Sequence, residues 1–65
     1  MQGTMKFFDR DRGFGFIKRA QGEDLFVHIS NVQPGVADAL AEGQDVEFEV
    51  GVGRRGDEAR NVRRS

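Results

Sequence analysis

The apolar side chains of this chain recur at every second position, in runs too short to wind into stable helices. The run 45–52 shows the pattern best: Val46, Phe48, Val50 and Val52 fall on one side, Glu47 and Glu49 on the other. Successive side chains of a strand point to opposite faces, so this alternation marks a strand with one face toward a core. The runs 12–18 and 24–29 alternate too, with a different partition. Phe14 and Phe16 share a side with Lys18, opposite Gly13, Gly15 and Ile17. Phe26 and His28 share a side, opposite Leu25, Val27 and Ile29. The aliphatic side has the character of a core. The aromatic side lies among cations, which are the wrong neighbours for one.

Strands are predicted over 3–9, 13–19, 24–29, 45–52 and 58–64. In the first, strict alternation would pair Met5 with Phe7 and Lys6 with Phe8, mixing the two faces. A bulge near Lys6 resolves the conflict by re-aiming one ring. Asp9-Arg10-Asp11-Arg12-Gly13 and Ala20-Gln21-Gly22-Glu23 read as turns, and Gln33-Pro34-Gly35 opens the longest connection. Within that connection 37–42 is too short for more than a helical turn or an irregular loop. Strands with almost no helix to cover them bury one face best by closing into a small barrel. The predicted core is Met5, Phe8, Ile17, Leu25, Val27, Ile29, Val32, Leu40, Val46, Phe48, Val50 and Val62.

Sixty-five residues make one small domain, 1–65. Such a chain buries only about 60% of its extended surface. Rings left on the outside reduce its core further, so they need another reason, and a ligand supplies one. Flat aryl groups on a sheet surface are what unpaired bases stack on. The net charge of −1 argues against nucleic acid only until its distribution is seen. Residues 1–30, 31–53 and 54–65 carry net charges of +1, −5 and +3. Local fields matter more than the total within a Debye length of about 8–10 Å.

The chain has no cysteine, which removes disulfides and thiolate metal sites, and its single histidine, His28, lacks companions for zinc. No cofactor is expected. One histidine, no cysteine and carboxylates mainly in turns leave acid–base and nucleophilic catalysis without a constellation, so neither an enzyme nor a small-molecule substrate is expected. Met1-Gln2-Gly3-Thr4 has no secretory character, and no apolar run approaches the roughly 20 residues of a membrane helix. A cytoplasmic protein without a membrane partner is the expectation. A monomer is expected, although the loop around Pro34-Gly35 could hinge a strand exchange.

Arg12-Gly13-Phe14-Gly15-Phe16-Ile17 matches the opening of an RNA-binding signature. The RNA-recognition motif shares it, but that domain's last aromatic is here Arg19, and this chain is too short and too poor in helix. A better match combines that segment with Lys6-Phe7-Phe8-Asp9, Leu25-Phe26-Val27-His28-Ile29-Ser30, Glu42-Gly43-Gln44-Asp45-Val46 and Ala59-Arg60-Asn61-Val62. In this order and spacing the chain resembles bacterial cold-shock proteins over essentially its whole length. The resemblance implies an all-β, five-stranded antiparallel OB-type Greek-key barrel. It also implies binding of single-stranded RNA and DNA, and an RNA-chaperone activity that some members extend to transcription or translation. By position it places Lys6, Phe7, Phe14, Phe16, Phe26 and His28 in the site. Arg12 stands where the family usually has lysine, and Asp9 where it often has asparagine. Phe7 stands in place of a tryptophan, Ile29 in place of a second aromatic and Ala37 in place of a loop phenylalanine. Fewer rings imply weaker binding or a shorter footprint.

Each site residue also has a plainer role open to it. Phe14, Phe16 and Phe26 could be core, but Ile17, Leu25, Val27 and Ile29 already fill that place. Phe7 is assigned to the site, Phe8 and Phe48 to the core. His28 beside Phe26 is expected to stack on a base or bond its edge, with a modest pH effect between pH 5 and 8. Lys6, Arg12 and Lys18 are assigned to phosphates. Asp9 is either a turn former or a base-edge acceptor. Arg54 and Arg55 either extend the basic rim or belong to a solvated loop. A rival reading is a translation-factor-like module of the same fold, docking on the ribosome or on a protein through a structured patch.

Overall fold

The computed structural model of the chain describes residues 1–54 and 56–65, with Ala39 described by its backbone alone. It contains five strands: β1 (Gln2–Asp9), β2 (Phe14–Lys18), β3 (Leu25–His28), β4 (Asp45–Gly53) and β5 (Gly56–Arg64). Short 3-10 turns at Ile29–Asn31 and Ala37–Ala39 are the helical content of the described residues. The break in alternation at Lys6 is a bulge. Met5 lies opposite Ile17 and Phe7 opposite Phe16, so Lys6 is the extra residue. Met5 and Phe8 thereby both turn toward the interior, although they are three apart.

The strands close in the order β1-β2-β3-β5-β4. Strand directions cannot alternate all the way round a ring of five, so one neighbouring pair must run parallel. That pair is β3 and β5, joined at Phe26 opposite Glu58 and supplemented by a bridge between Val32 and Val62. The expected antiparallel barrel therefore carries one parallel seam.

Closure at this size demands that β1 press hard on β2. A side chain at Gly15 would collide with the Phe7 carbonyl oxygen, and its Cβ would lie 2.8 Å from Phe8 Cδ2. Only hydrogen fits there. The same holds at Gly3, where a Cβ would lie 2.6 Å from Ile17 Cγ2 and 2.9 Å from the Lys18 carbonyl. These two glycines let the sheet curl tightly enough to enclose Phe48.

The buried core is Met5, Ile17, Leu25, Val27, Val32, Leu40, Val46, Phe48, Ala59 and Val62, with Phe8 packed at its edge. Two residues predicted for the core are elsewhere. Ile29 is 39% exposed and Val50 38%. At Ile29 the chain has left β3 for a 3-10 turn, which carries the side chain out beside Gly13. Val50 lies opposite the buried Ala59 at the edge of the core, and beyond it Val52 is 78% exposed. Ala59 is the converse, a core residue that the pattern did not indicate. Glu47 faces Arg63 and Glu49 faces Arg60, so β5 uses Asn61 and Val62 against Phe48 alone. Asn61 takes up this extra residue with φ 52°. Ala59 and Val62 both point inward because of it.

Candidate nucleic-acid interface

Ladder register brings the aromatic residues of three strands onto one outer face. Phe16 at the centre of β2 lies opposite Phe7 of β1 and Phe26 of β3, while Phe14 lies opposite His28. The inward positions between them are Gly15, Ile17, Leu25 and Val27, all buried. The rings are thus outside the barrel and in contact with one another. Phe16 has its centroid 5.7 Å from Phe7, 6.3 Å from Phe14 and 5.8 Å from Phe26. Phe14 and Phe26 lie 5.9 Å apart and only 22° from parallel, and Phe7 meets Phe14 edge-on at 6.1 Å. Phe7 is 41% exposed, and the other three rings are half-buried by their neighbours. Mutual packing holds the cluster at fixed orientations and leaves ring surface facing water.

His28 caps the turn that follows β3. Its Nδ1 accepts the Ser30 backbone N–H at 3.1 Å and lies 2.8 Å from Ser30 Oγ. The neutral ring therefore carries its proton on Nε2, which is the nitrogen left to donate outward. Asp9 Oδ1 accepts the backbone N–H groups of Asp11 and Arg12, each at 3.1 Å. That commits one carboxylate oxygen to shaping the β1–β2 turn, immediately before Phe14.

Shallow depressions flank Phe26 on either side. One is lined by Phe16, Arg19, Glu23, Asp24, Leu25, Phe26, Gly56 and Asp57. The other is lined by Phe26, His28, Ser30, Asn31, Arg54 and Glu58. Arg54 is thus beside the rings rather than at a distance from them, and Arg55 lies outside the described residues. Arg19, Ser30 and Asn31 also line these depressions, although none of them was assigned to the site from the sequence. Arg19 and Ser30 adjoin residues that were singled out, but only the register of β2 against β3 places them here.

The cations around the rings differ in their surroundings. Lys6 Nζ pairs with Asp24 Oδ2 at 3.0 Å, and Arg12 Nε lies 3.9 Å from Asp9 Oδ2. Lys18, on the same side of β2 as Phe14 and Phe16, makes no ion pair among the described residues. On the far side of the barrel Arg63 links Glu47 and Glu49 across β4 and β5. There Asn61 and Arg63, hydrogen-bonding the Glu49 carboxylate, hold it below the ordinary glutamate range. No cluster of His, Asp and Glu suited to a metal ion occurs among the described residues.

The family profile of the 'Cold-shock' DNA-binding domain matches residues 1–65. The chain belongs to the cold-shock domain family. Its relatives include "Cold shock-like protein CspC" of Bacillus cereus, 50% identical over 62 residues and covering 95% of both chains. "Cold shock protein CspC" of Bacillus subtilis is 48% identical over 64 residues, covering 98% of this chain and 97% of the relative. "Major cold shock protein" of Streptococcus pyogenes serotype M1 is 46% identical over 61 residues, covering 94% and 91% respectively. The family is one of nucleic-acid-binding domains, and the ring cluster lies on segments 6–9, 12–17 and 25–30. No helix among the described residues is long and apolar enough to cross a membrane.

Proposed function

We propose that this cold-shock domain binds unpaired stretches of RNA and DNA by stacking bases on Phe7, Phe14, Phe16 and Phe26. His28 bonds a base edge through Nε2–H, and Lys18, Arg54, Lys6 and Arg12 lie along the backbone path. Asp9 shapes the turn that presents Phe14. The observation that carries the reading is the placement of these rings, packed together outside a barrel whose interior is already full. Every base has a π-face, so such a surface tolerates sequence. Capture of unpaired bases shifts the balance between folded and open RNA without any bond being made or broken. The domain on this reading is a cytoplasmic, monomeric RNA chaperone, with no catalysis and no cofactor.

The test is fluorescence anisotropy of a labelled pyrimidine hexamer, in competition with unlabelled single strand or duplex. The label is required because the chain has no Trp or Tyr. Single strands should compete well and duplex poorly, since stacking needs splayed bases. Equal competition would favour the rival docking module. An unchanged Kd for His28→Ala would remove that residue from the site.

A further inference from the structure

Strand β4 is covered on one side along its whole length by β5, but on the other side only in part. There β1 pairs with it from Asp45 to Glu47, and Met1 exchanges backbone bonds with Phe48. Beyond Phe48, residues 49–53 have no ladder partner on that side among the described residues. The stretch Val50-Gly51-Val52-Gly53 carries no charge, and Val52 is 78% exposed. An uncharged edge of this kind is a template for strand addition.

The edge is complementary to itself. Gly53 and Gly56 close a hairpin with two residues between them, and from such a bonded pair the ladder alternates. Val52 and Val50 are then the positions whose N–H and C=O point away from β5. The order Val50-Gly51-Val52 reads the same in both directions. A second copy related by a two-fold axis at Gly51 would therefore set Val50 against Val52 twice over, each pair exchanging two backbone bonds.

Arg60 of β5 stands in the way. Its Nη2 donates to the Val52 carbonyl at 2.9 Å, an acceptor that such pairing needs. The side chain gets there by crossing β4 over Gly51, where a Cβ would collide with Arg60 Nε and lie 2.7 Å from Cδ. Glu58 Oε2, 3.6 Å from Arg60 Nε, steadies the guanidinium over the hairpin. We propose that Arg60 is a strap that holds the β4 edge shut against a second copy of this chain, with Gly51 the groove in which it lies. Its charge acts in the same direction, because pairing would bring two guanidinium groups together at the two-fold axis. The edge carries none of the clustered rings, so the strap stands or falls apart from the single-strand reading.

The experiment is sedimentation equilibrium over a concentration series, without nucleic acid, on the wild type, Arg60→Ala, Gly51→Ala and the double variant Arg60→Ala/Val52→Lys. The Arg60 side chain is 48% exposed, and the three atoms nearest a new methyl at Gly51 all belong to that flexible side chain, so each single variant folds. Far-UV circular dichroism checks this. The wild type should remain monomeric. Both single variants should dimerise, Arg60→Ala by losing the strap and Gly51→Ala by lifting it. Two strap bonds no longer have to break per dimer, so the dimer Kd should lie at least about fivefold below the wild-type value or its lower bound. Lysine at position 52 should restore the monomer, since a charge on an edge blocks pairing. Monomers throughout for both single variants would overturn the proposal, as would a wild type that dimerises as tightly as they do. A dimer that survives Val52→Lys would place the contact elsewhere and overturn it too. Dimerisation of Arg60→Ala alone would overturn the part given to Gly51.

Discussion

Phe16 is the ring through which the site can be tested most sharply, because it touches Phe7, Phe14 and Phe26 at once. Truncation to alanine removes one stacking face, worth about 1–3 kcal/mol per base, so Kd should rise roughly 5- to 150-fold. It also removes three ring contacts from a half-buried side chain. Full burial would put the stability loss at about 3–5 kcal/mol, and half-burial brings it to roughly 2 kcal/mol. The two effects must be separated, and Phe16→Leu does so. Leucine keeps most of the apolar area, so stability should fall by less than about 1.5 kcal/mol. It has no aryl face, so affinity should still drop at least about fivefold. Anisotropy of the labelled hexamer gives Kd, and urea unfolding followed by far-UV circular dichroism gives stability. Wild-type affinity for Phe16→Leu would refute the stacking argument outright.

Other perturbations test the scaffold. Gly15→Ala should unfold the domain or lower its melting temperature sharply, since the new methyl meets the Phe7 carbonyl and Phe8; a normal melt would show that β1 can move aside. Phe48→Ala should cost about 3–5 kcal/mol, a large share of what so small a domain has, and a urea titration reads it directly. Glu49 has a folded-state pKa depressed by Asn61 and Arg63, so its contribution is present at neutral pH and is lost as pH falls through the folded value. Glu49→Gln should therefore flatten the acid limb of a stability–pH profile below about pH 5. Superimposable profiles would mean the Asn61 and Arg63 bonds add nothing.

Much of this molecule could be read before any coordinates. The bulge at Lys6 was visible because the alternation of β1 fails there, and the two-faced character of β2 and β3 separated rings from core. What escaped was governed by events on a neighbouring strand. Ala59 carries too little apolar signal to stand out, and its inward direction depends on Asn61 taking a left-handed conformation. Val50 obeys the alternation of β4 perfectly and is still 38% exposed, although Ala59 opposite it is fully buried. Ile29 follows the period of β3 one residue beyond the strand's end. The ion pair between Lys6 and Asp24 spans a gap that only strand register closes. Ionic partners of this kind leave no periodic trace.

The seam between β3 and β5 has a kinetic consequence. Around the rest of the hoop, adjoining segments share several ladder positions, whereas here, among the described residues, there is one between the strands and one bridge beyond them at Val32 and Val62, helped by Asn31 reaching Glu58 and Gln33 reaching Asn61 at 3.1 and 3.2 Å. A hoop opens first at its least-fastened joint, so amide protons along this line should exchange with deuterium ahead of those between β1 and β2. Phe26 belongs to that joint. A bound strand lying across it would act as a clasp, and exchange at the seam should slow more than elsewhere once the ligand is present.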